Sequence, residues 1–257
     1  MIAAVGTQVI GSYKATVYFL DLLAQSLVAS LSPPFRVRDT LRQIYFMANQ
    51  SLIIVLLCVS FAAMVTIIES AYHMKLVVQS DEMVPGFAAL LILRELGVVV
   101  AALLVTSRVG AGIAAEVGSM TVTEQVDALR MLGIDPVRYL VVPRLVASII
   151  SGMLLSVVSN IVCLFGAFLV SAIKLGYTYG TFVVAMSRFV NLQDLFFAII
   201  KGGCFGAAIP LFACFFGFRC KAGAEGVGFA TTSSVVATSI AIIVMDFVLS
   251  YIFTFFY

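Results

Sequence analysis

Five ionisable side chains, Glu69, Arg94, Glu95, Lys201 and Asp246, fall inside or at the ends of long apolar runs. In such surroundings they can pair and fix packing, line a polar cavity that holds a charged group, or carry protons and ions. An ionised side chain at mid-bilayer costs on the order of 2.5–3.5 kcal/mol on insertion scales, so it is usually paired and functional. A second stretch, "EVGSMTVTEQVDALRMLGIDP" (116–136), has a different character. It carries Glu116, Glu124, Asp127, Arg130 and Asp135 and reads as a piece of soluble protein set between apolar segments.

Composition decides what must position these groups. The 257 residues are 62% hydrophobic and 11% charged, with a mean hydropathy of +1.14. Ordinary globular domains carry about a quarter charged residues. Several runs approach the roughly 20 apolar residues that a bilayer-spanning helix needs. They are continuous rather than alternating, which argues against a β-barrel. The expected fold class is all-α: a polytopic helical membrane protein with an N-terminal interfacial helix and about five transmembrane helices. A formal charge of +2 is too small to suggest nucleic acid. Cys58, Cys163, Cys204, Cys214 and Cys220 form no CxxC pair and mostly sit in apolar runs, so they read as small core residues. His73 is the sole histidine, which argues against a metal site. The first residues lack the pattern of a secretory signal peptide.

The runs place five spans at 50–72, 86–107, 139–173, 192–217 and 233–256. Residues 1–45 form a separate amphipathic region and 46–257 the membrane domain. In 9–31, Val9, Tyr13, Val17, Leu20, Ala24, Leu27 and Leu31 recur at helical spacing. Gln8, Ser12, Asp21 and Gln25 fall off that stripe. The pattern fits a helix lying in the interface, with a short sixth span as the alternative, and "SPP" at 32–34 ends it. Loop cations set the orientation. With the N-terminus in the cytoplasm, ten cations are cytoplasmic: Lys14, Arg36, Arg38, Arg42, Arg108, Arg130, Arg138, Arg144, Arg219 and Lys221. Three (Lys75, Lys174 and Arg188) face the other side. The C-terminus is then outside.

That orientation puts Arg94, Glu95, Lys201 and Asp246 roughly 12–15 Å below the outer surface, at 1.5 Å per residue. Three separate spans thus bring charge to one depth. One reading is a polar cavity that receives a lipid headgroup, and the other is a set of packing pairs such as Glu95–Lys201. Arg94 and Glu95 are about 100° apart on a helix, so they should face different partners. Gly202 and Gly206 in "KGGCFG" have the G-x-x-x-G spacing that favours close helix contact.

In the charged stretch, Thr121 and Glu124 have capping-box spacing, which predicts a helix from about Val122. Gly133 suits its C-cap and Pro136 prevents continuation. Val122, Val126 and Leu129 share one face, while Thr123, Glu124, Asp127 and Arg130 dominate the other. Such a helix either lies on the membrane or fits a groove on a soluble partner.

The wider context bears on that choice. "LRELGVVVAALLVTSRVGAGIAAEVGSMTVTEQVDALRMLGIDPVRYLVVPR" (93–144), "GAEGVGFATTSSVV" (223–236) and "DFVLS" (246–250) resemble the MlaE permease family, the membrane subunits of MCE-type lipid ABC transporters. Many members have Pro after "ELG" where this chain has Val98. They also end span one with glycine and glutamine where it reads "AAMVTIIES". The resemblance implies that the helix bearing Val122, Glu124, Val126, Asp127, Leu129 and Arg130 is the coupling helix that docks on an ABC ATPase. The candidate substrate path is the set of intramembrane charges read from their spacing, Arg94, Glu95, Lys201 and Asp246, with Glu69 at the end of span one. The implied partners are that ATPase, an MCE-domain periplasmic protein, a second copy of this chain in a homodimer, membrane lipids and a small cytoplasmic STAS-type subunit. No P-loop occurs here, so ATP and Mg are expected on the partner ATPase, with no cofactor on this chain and no catalysis by it. "RVGAGIAAEVG" has no preceding strand, so Gly110, Gly112 and Gly118 read as sites of close packing or of a helix break, not of nucleotide binding. The expected location is the bacterial inner membrane, with a plastid envelope as the alternative. The competing function is an ion- or proton-coupled secondary transporter using the intramembrane carboxylates. It would have no need of the capped cytoplasmic helix, and the inverted repeats such proteins often carry are not apparent. A structural membrane anchor would have little reason to keep charge at one depth in three spans.

Overall fold

The computed structural model describes residues 2–31, 36–77, 83–221 and 223–256. Among them there are helices and no strands. We number the helices α1 (Ile2–Leu31), α2 (Val37–Val77), α3 (Val84–Val122), α4 (Gln125–Met131), α5 (Val137–Leu175), α6 (Tyr179–Phe189), α7 (Leu192–Phe218) and α8 (Ala224–Thr254). Five stretches are long and apolar enough to cross a bilayer: Ser51–Met74 of α2, and the whole of α3, α5, α7 and α8. Helix α1 is not among them. It rests Leu22 in a core cluster with Met47, Val117, Val141 and Leu145, and stacks Phe19 on Phe212 of α7 with ring centroids 4.6 Å apart. The expected stop at "SPP" lies outside the described residues.

Helices α2, α3 and α5 share a second core through Val55, Val59, Ile67, Val84, Ile92 and Cys163. Helices α3, α7 and α8 share a third around Val98, Phe205, Ile209 and Ile242. Helices α5 and α7 approach closely. A methyl group on Gly202 would lie 2.6 Å from Gly152 O and 2.8 Å from Ser156 Cβ, and one on Gly206 would meet Ser148 O. The G-x-x-x-G reading therefore holds, with Gly152 and two serines of α5 as its other half. Helix α8 buries only Ala230, Ser234, Thr238 and Ile242, one stripe at four-residue spacing.

The helices run beyond two of the expected spans, and one cation is placed differently. Helix α3 continues past 107, through Gly110, Gly112 and Gly118, to Val122 as 39 residues. No break occurs, because Gly110 packs against Ile209 and Gly118 against Cys220. Helix α8 begins at Ala224, ahead of the expected 233, directly after Gly223 at φ 97°. Arg144, expected among the loop cations, is buried within α5. It can be buried there because its Nη2 meets Glu116 of α3 at 2.9 Å and its Nη1 donates to Leu140 O at 3.0 Å.

Candidate functional site

The charges that three spans bring to one depth meet in space. Lys201 of α7 is buried. Its Nζ lies 3.0 Å from Glu95 Oε1 of α3 and 2.8 Å from Asp246 Oδ1 of α8. It also donates to Ser250 Oγ at 2.9 Å and to the Arg94 carbonyl at 2.9 Å. Ser250 in turn donates to Glu95 Oε1 at 3.3 Å. The contact with Asp246 Oδ1 is close, yet its geometry is not that of a hydrogen bond, so the attraction there is mainly coulombic. One ammonium thus serves two carboxylates from two different helices. Two carboxyl groups share that one ammonium, and Glu95 stays partly exposed. An arrangement of this kind can hold a cationic or hydrogen-bonding group from a polar ligand, or it can simply tie three spans together.

Arg94 turns away from its neighbour, as adjacency on a helix requires. Its Nε meets Asp194 Oδ1 at 2.7 Å. Asp194 was not foreseen, because it sits in the first turn of α7, where its Oδ2 accepts the Asn191 N–H at 2.8 Å in a capping box. An aspartate at that position reads from sequence as a cap and nothing more. Glu69 does not join the group. It is exposed on α2 and faces His73 of its own helix at 3.7 Å.

The charged connection lies at the opposite end of α3. The predicted capping box does not form. Thr121 donates back to Val117 O at 2.9 Å inside α3, so it cannot cap the next helix. Helix α3 overshoots to Val122, Glu124 takes a left-handed φ of 59°, and α4 spans only seven residues. Gly133 ends it at φ 73°, as expected. Val126 is buried and Leu129 half-buried, so the predicted apolar stripe packs inward. The exposed face carries Glu124, Asp127 and Arg130, the last two paired at 3.0 Å. The exposed apolar residues are Met131 and Leu132 at the helix end, 85% and 74% accessible; they carry no periodic signal and were not singled out in advance.

Helix α1 faces the end of α4 across a cleft. Tyr18, Asp21 and Gln25 line a cleft of about 260 Å³ with Arg130, Asp135 and Phe218. Burial raises the Tyr18 pKa, although Arg130 and Arg219 nearby act in the opposite direction. The residues His73, Glu69 and the cysteines form no group able to hold a metal among the described residues.

Several relatives are similar to this chain over most of its length. A Rickettsia felis protein named a probable ABC transporter permease is 34% identical over 94% of this chain and 93% of its own. The Haemophilus influenzae intermembrane phospholipid transport system permease protein MlaE is 34% identical, covering 97% of this chain and 95% of its own. The chloroplastic protein trigalactosyldiacylglycerol 1 of Arabidopsis thaliana is 35% identical over 84% of this chain and 61% of its own. Residues 40–252, which take in the Lys201 cluster, α4, four of the apolar spans and all but the last two residues of the fifth, match the family described as permease MlaE. This chain belongs to the MlaE permease family.

Proposed function

We propose that this protein is the membrane subunit of an ATP-driven transporter that moves phospholipid or a related lipid between the inner membrane and an MCE-domain partner. The observation that carries the reading is the span of α3. One helix holds Glu95 in the charged cluster near one end and leads at the other into α4 with its exposed Met131 and Leu132. Glu95 and Val122 are roughly 40 Å apart along that helix. A partner that moves α4 therefore acts on the helix that also carries Glu95.

In this reading, Glu124, Asp127, Arg130 and the apolar tip dock on a separate ABC ATPase, which binds ATP and Mg. Glu95, Lys201, Asp246 and Arg94 face the lipid headgroup on the path towards the MCE protein. The N-terminus is cytoplasmic and the C-terminus periplasmic, following the loop cations. Two copies assemble through apolar surface that a single chain leaves uncovered, such as Phe247 and Tyr251 of α8. A small STAS-type subunit sits on the cytoplasmic side. The Haemophilus relative, named for intermembrane phospholipid transport, supports the choice of lipid.

The test is purification in a gentle detergent followed by mass spectrometry of co-purifying proteins and lipids. A P-loop ATPase, an MCE-domain protein and bound phospholipid are expected. Recovery of the folded chain without any ATPase would overturn the reading.

A further inference from the structure

Helix α3 is not regular where it carries the charges. Ile92–Val100 is π-helical. A π-helical turn is wider than an α-helical one, is rare, and appears frequently at functional sites. It also disturbs the ladder of backbone hydrogen bonds. Inside a bilayer every carbonyl must then find its partner within the protein.

Here the partners come from two neighbouring helices. Ser159 Oγ of α5 donates to Gly97 O at 2.5 Å. Asn160 Nδ2, one residue on, donates to Leu93 O at 3.5 Å. Lys201 Nζ donates to Arg94 O at 2.9 Å. Ser159 and Asn160 are 0% and 1% exposed. The Ser159 hydroxyl also lies 3.1 Å from Ser156 O of its own helix, the usual back-bond of a helical serine, yet the contact with α3 is the shorter one. Gly97 makes the approach feasible, since a methyl group there would collide with Asn160 Oδ1. Buried polar side chains that reach another helix's backbone inside a membrane are specific devices, not filler.

We propose that Ser159 and Asn160 are positioning residues: they hold Ile92–Val100 wide, and so aim Glu95 at Lys201 and Arg94 at Asp194. A widened turn acts like one residue inserted in an α-helix, and each residue rotates the face by about 100°. Relaxation to a regular helix would therefore turn Glu95 off the ammonium relative to the rest of α3. Lys201 stands at the junction, because the same Nζ holds both carboxylates and the Arg94 carbonyl. A polar group that draws the ammonium towards itself loosens the turn as well. Occupancy of the cluster and the shape of α3 are thereby linked. This consequence rests on the lipid-path reading of the cluster; the positioning itself does not.

The experiment reads Glu95 directly. Dicyclohexylcarbodiimide modifies uncharged carboxyl groups in apolar surroundings. A carboxylate held by an ammonium is protected, and a stranded one neutralises rather than stay charged. The full complex in detergent would be treated with the reagent, and modification of Glu95 quantified by peptide mass spectrometry beside thermal unfolding. Lys201→Met sets the unprotected level. Ser159→Ala and Asn160→Leu are expected to raise Glu95 modification towards that level. The rise should be roughly 5-fold for one lost hydrogen bond. Ser159→Thr keeps the hydroxyl and should stay at the wild-type level. If Asn160→Leu yields no folded protein, the Ser159 pair decides alone. Lower unfolding temperatures with Glu95 modification unchanged would overturn the proposal and leave both residues as packing. If modification follows expectation but lipid transfer in vesicles is untouched by every variant, the positioning stands and the lipid-path reading fails.

Discussion

Arg94 and Asp194 meet at 2.7 Å across α3 and α7, and the same aspartate caps its own helix by accepting the Asn191 N–H at 2.8 Å. The start of α7 and its tie to α3 are therefore one structural event. Asp194→Ala removes the aspartate half of the capping box and the counter-ion together, while Asp194→Asn keeps one acceptor oxygen, which can serve the Asn191 N–H or Arg94 but not both. Because Arg94 keeps 37% of its side chain accessible, the stranded guanidinium is partly relieved. The alanine variant should cost about 1.5–3 kcal/mol for the lost charged hydrogen bond, plus about 1 kcal/mol for the cap. The asparagine variant should cost clearly less. Thermal unfolding in detergent checks the order; equal unfolding temperatures would contradict it.

Lys201 serves two carboxylates, and this changes what a rescue experiment must contain. Lys201→Met strands Glu95 and Asp246 together, and breaking a buried pair typically costs about 3–5 kcal/mol. Adding Glu95→Gln should restore only part of the stability, and adding Asp246→Asn should restore most of the remainder. Transfer of lipid in reconstituted vesicles should stay low in all three variants if the cluster meets the headgroup. Recovery of transfer along with stability would reduce these charges to packing.

Docking of the ATPase is expected to depend on the end of α4 more than on its middle. Leu129→Asp buries a charge and should impair folding, since Leu129 faces inward. Met131→Asp and Leu132→Asp alter side chains that are mostly exposed. They should leave the unfolding temperature unchanged and weaken co-purification of the ATPase. Asp127→Lys should weaken it too, by reversing charge beside Arg130. Wild-type recovery of ATPase with all three would remove α4 from the interface.

The α5–α7 contact has no slack at Gly206, because the atoms a side chain would meet are backbone. Overpacking usually costs about 1–3 kcal/mol, and Gly206→Val should fall at or above the top of that range. Gly112→Ala is the control, since no atom lies within 4 Å of a methyl group built there. It should shift the unfolding temperature little.

The charged layer was legible because helix geometry converts residue counts from span ends into depth. Glu95, Lys201 and Asp246 declared themselves by being ionised in apolar runs. Asp194 did not, since an aspartate at a helix start is ordinary. Ser159, Asn160 and Ser250 did not either, because neutral polar residues in a span leave no periodic mark. The charged stretch after α3 was visible by its composition, but its helix boundary was not. Thr121-x-x-Glu124 matches a capping box, yet the helix formed by Ala111–Val122 simply continues through it. For Gly110, Gly112 and Gly118 the sequence left close packing and a helix break open; Gly110 lies against Ile209 and Gly118 against Cys220 within one helix, whereas Gly223, at φ 97°, precedes α8. Spacing reports local preference; which neighbour fills the space beside a glycine is decided by packing.

The most direct measurement is lipid movement itself. The chain would be co-reconstituted with its ATPase and MCE-domain partners in vesicles carrying a labelled phospholipid, and transfer to or from the MCE protein followed with and without Mg-ATP. ATP-dependent transfer is expected, abolished by a catalytically dead ATPase and strongly reduced by Leu132→Asp or Lys201→Met in this chain. Transfer that proceeds equally without ATP, or that follows an imposed proton gradient instead, would contradict the account.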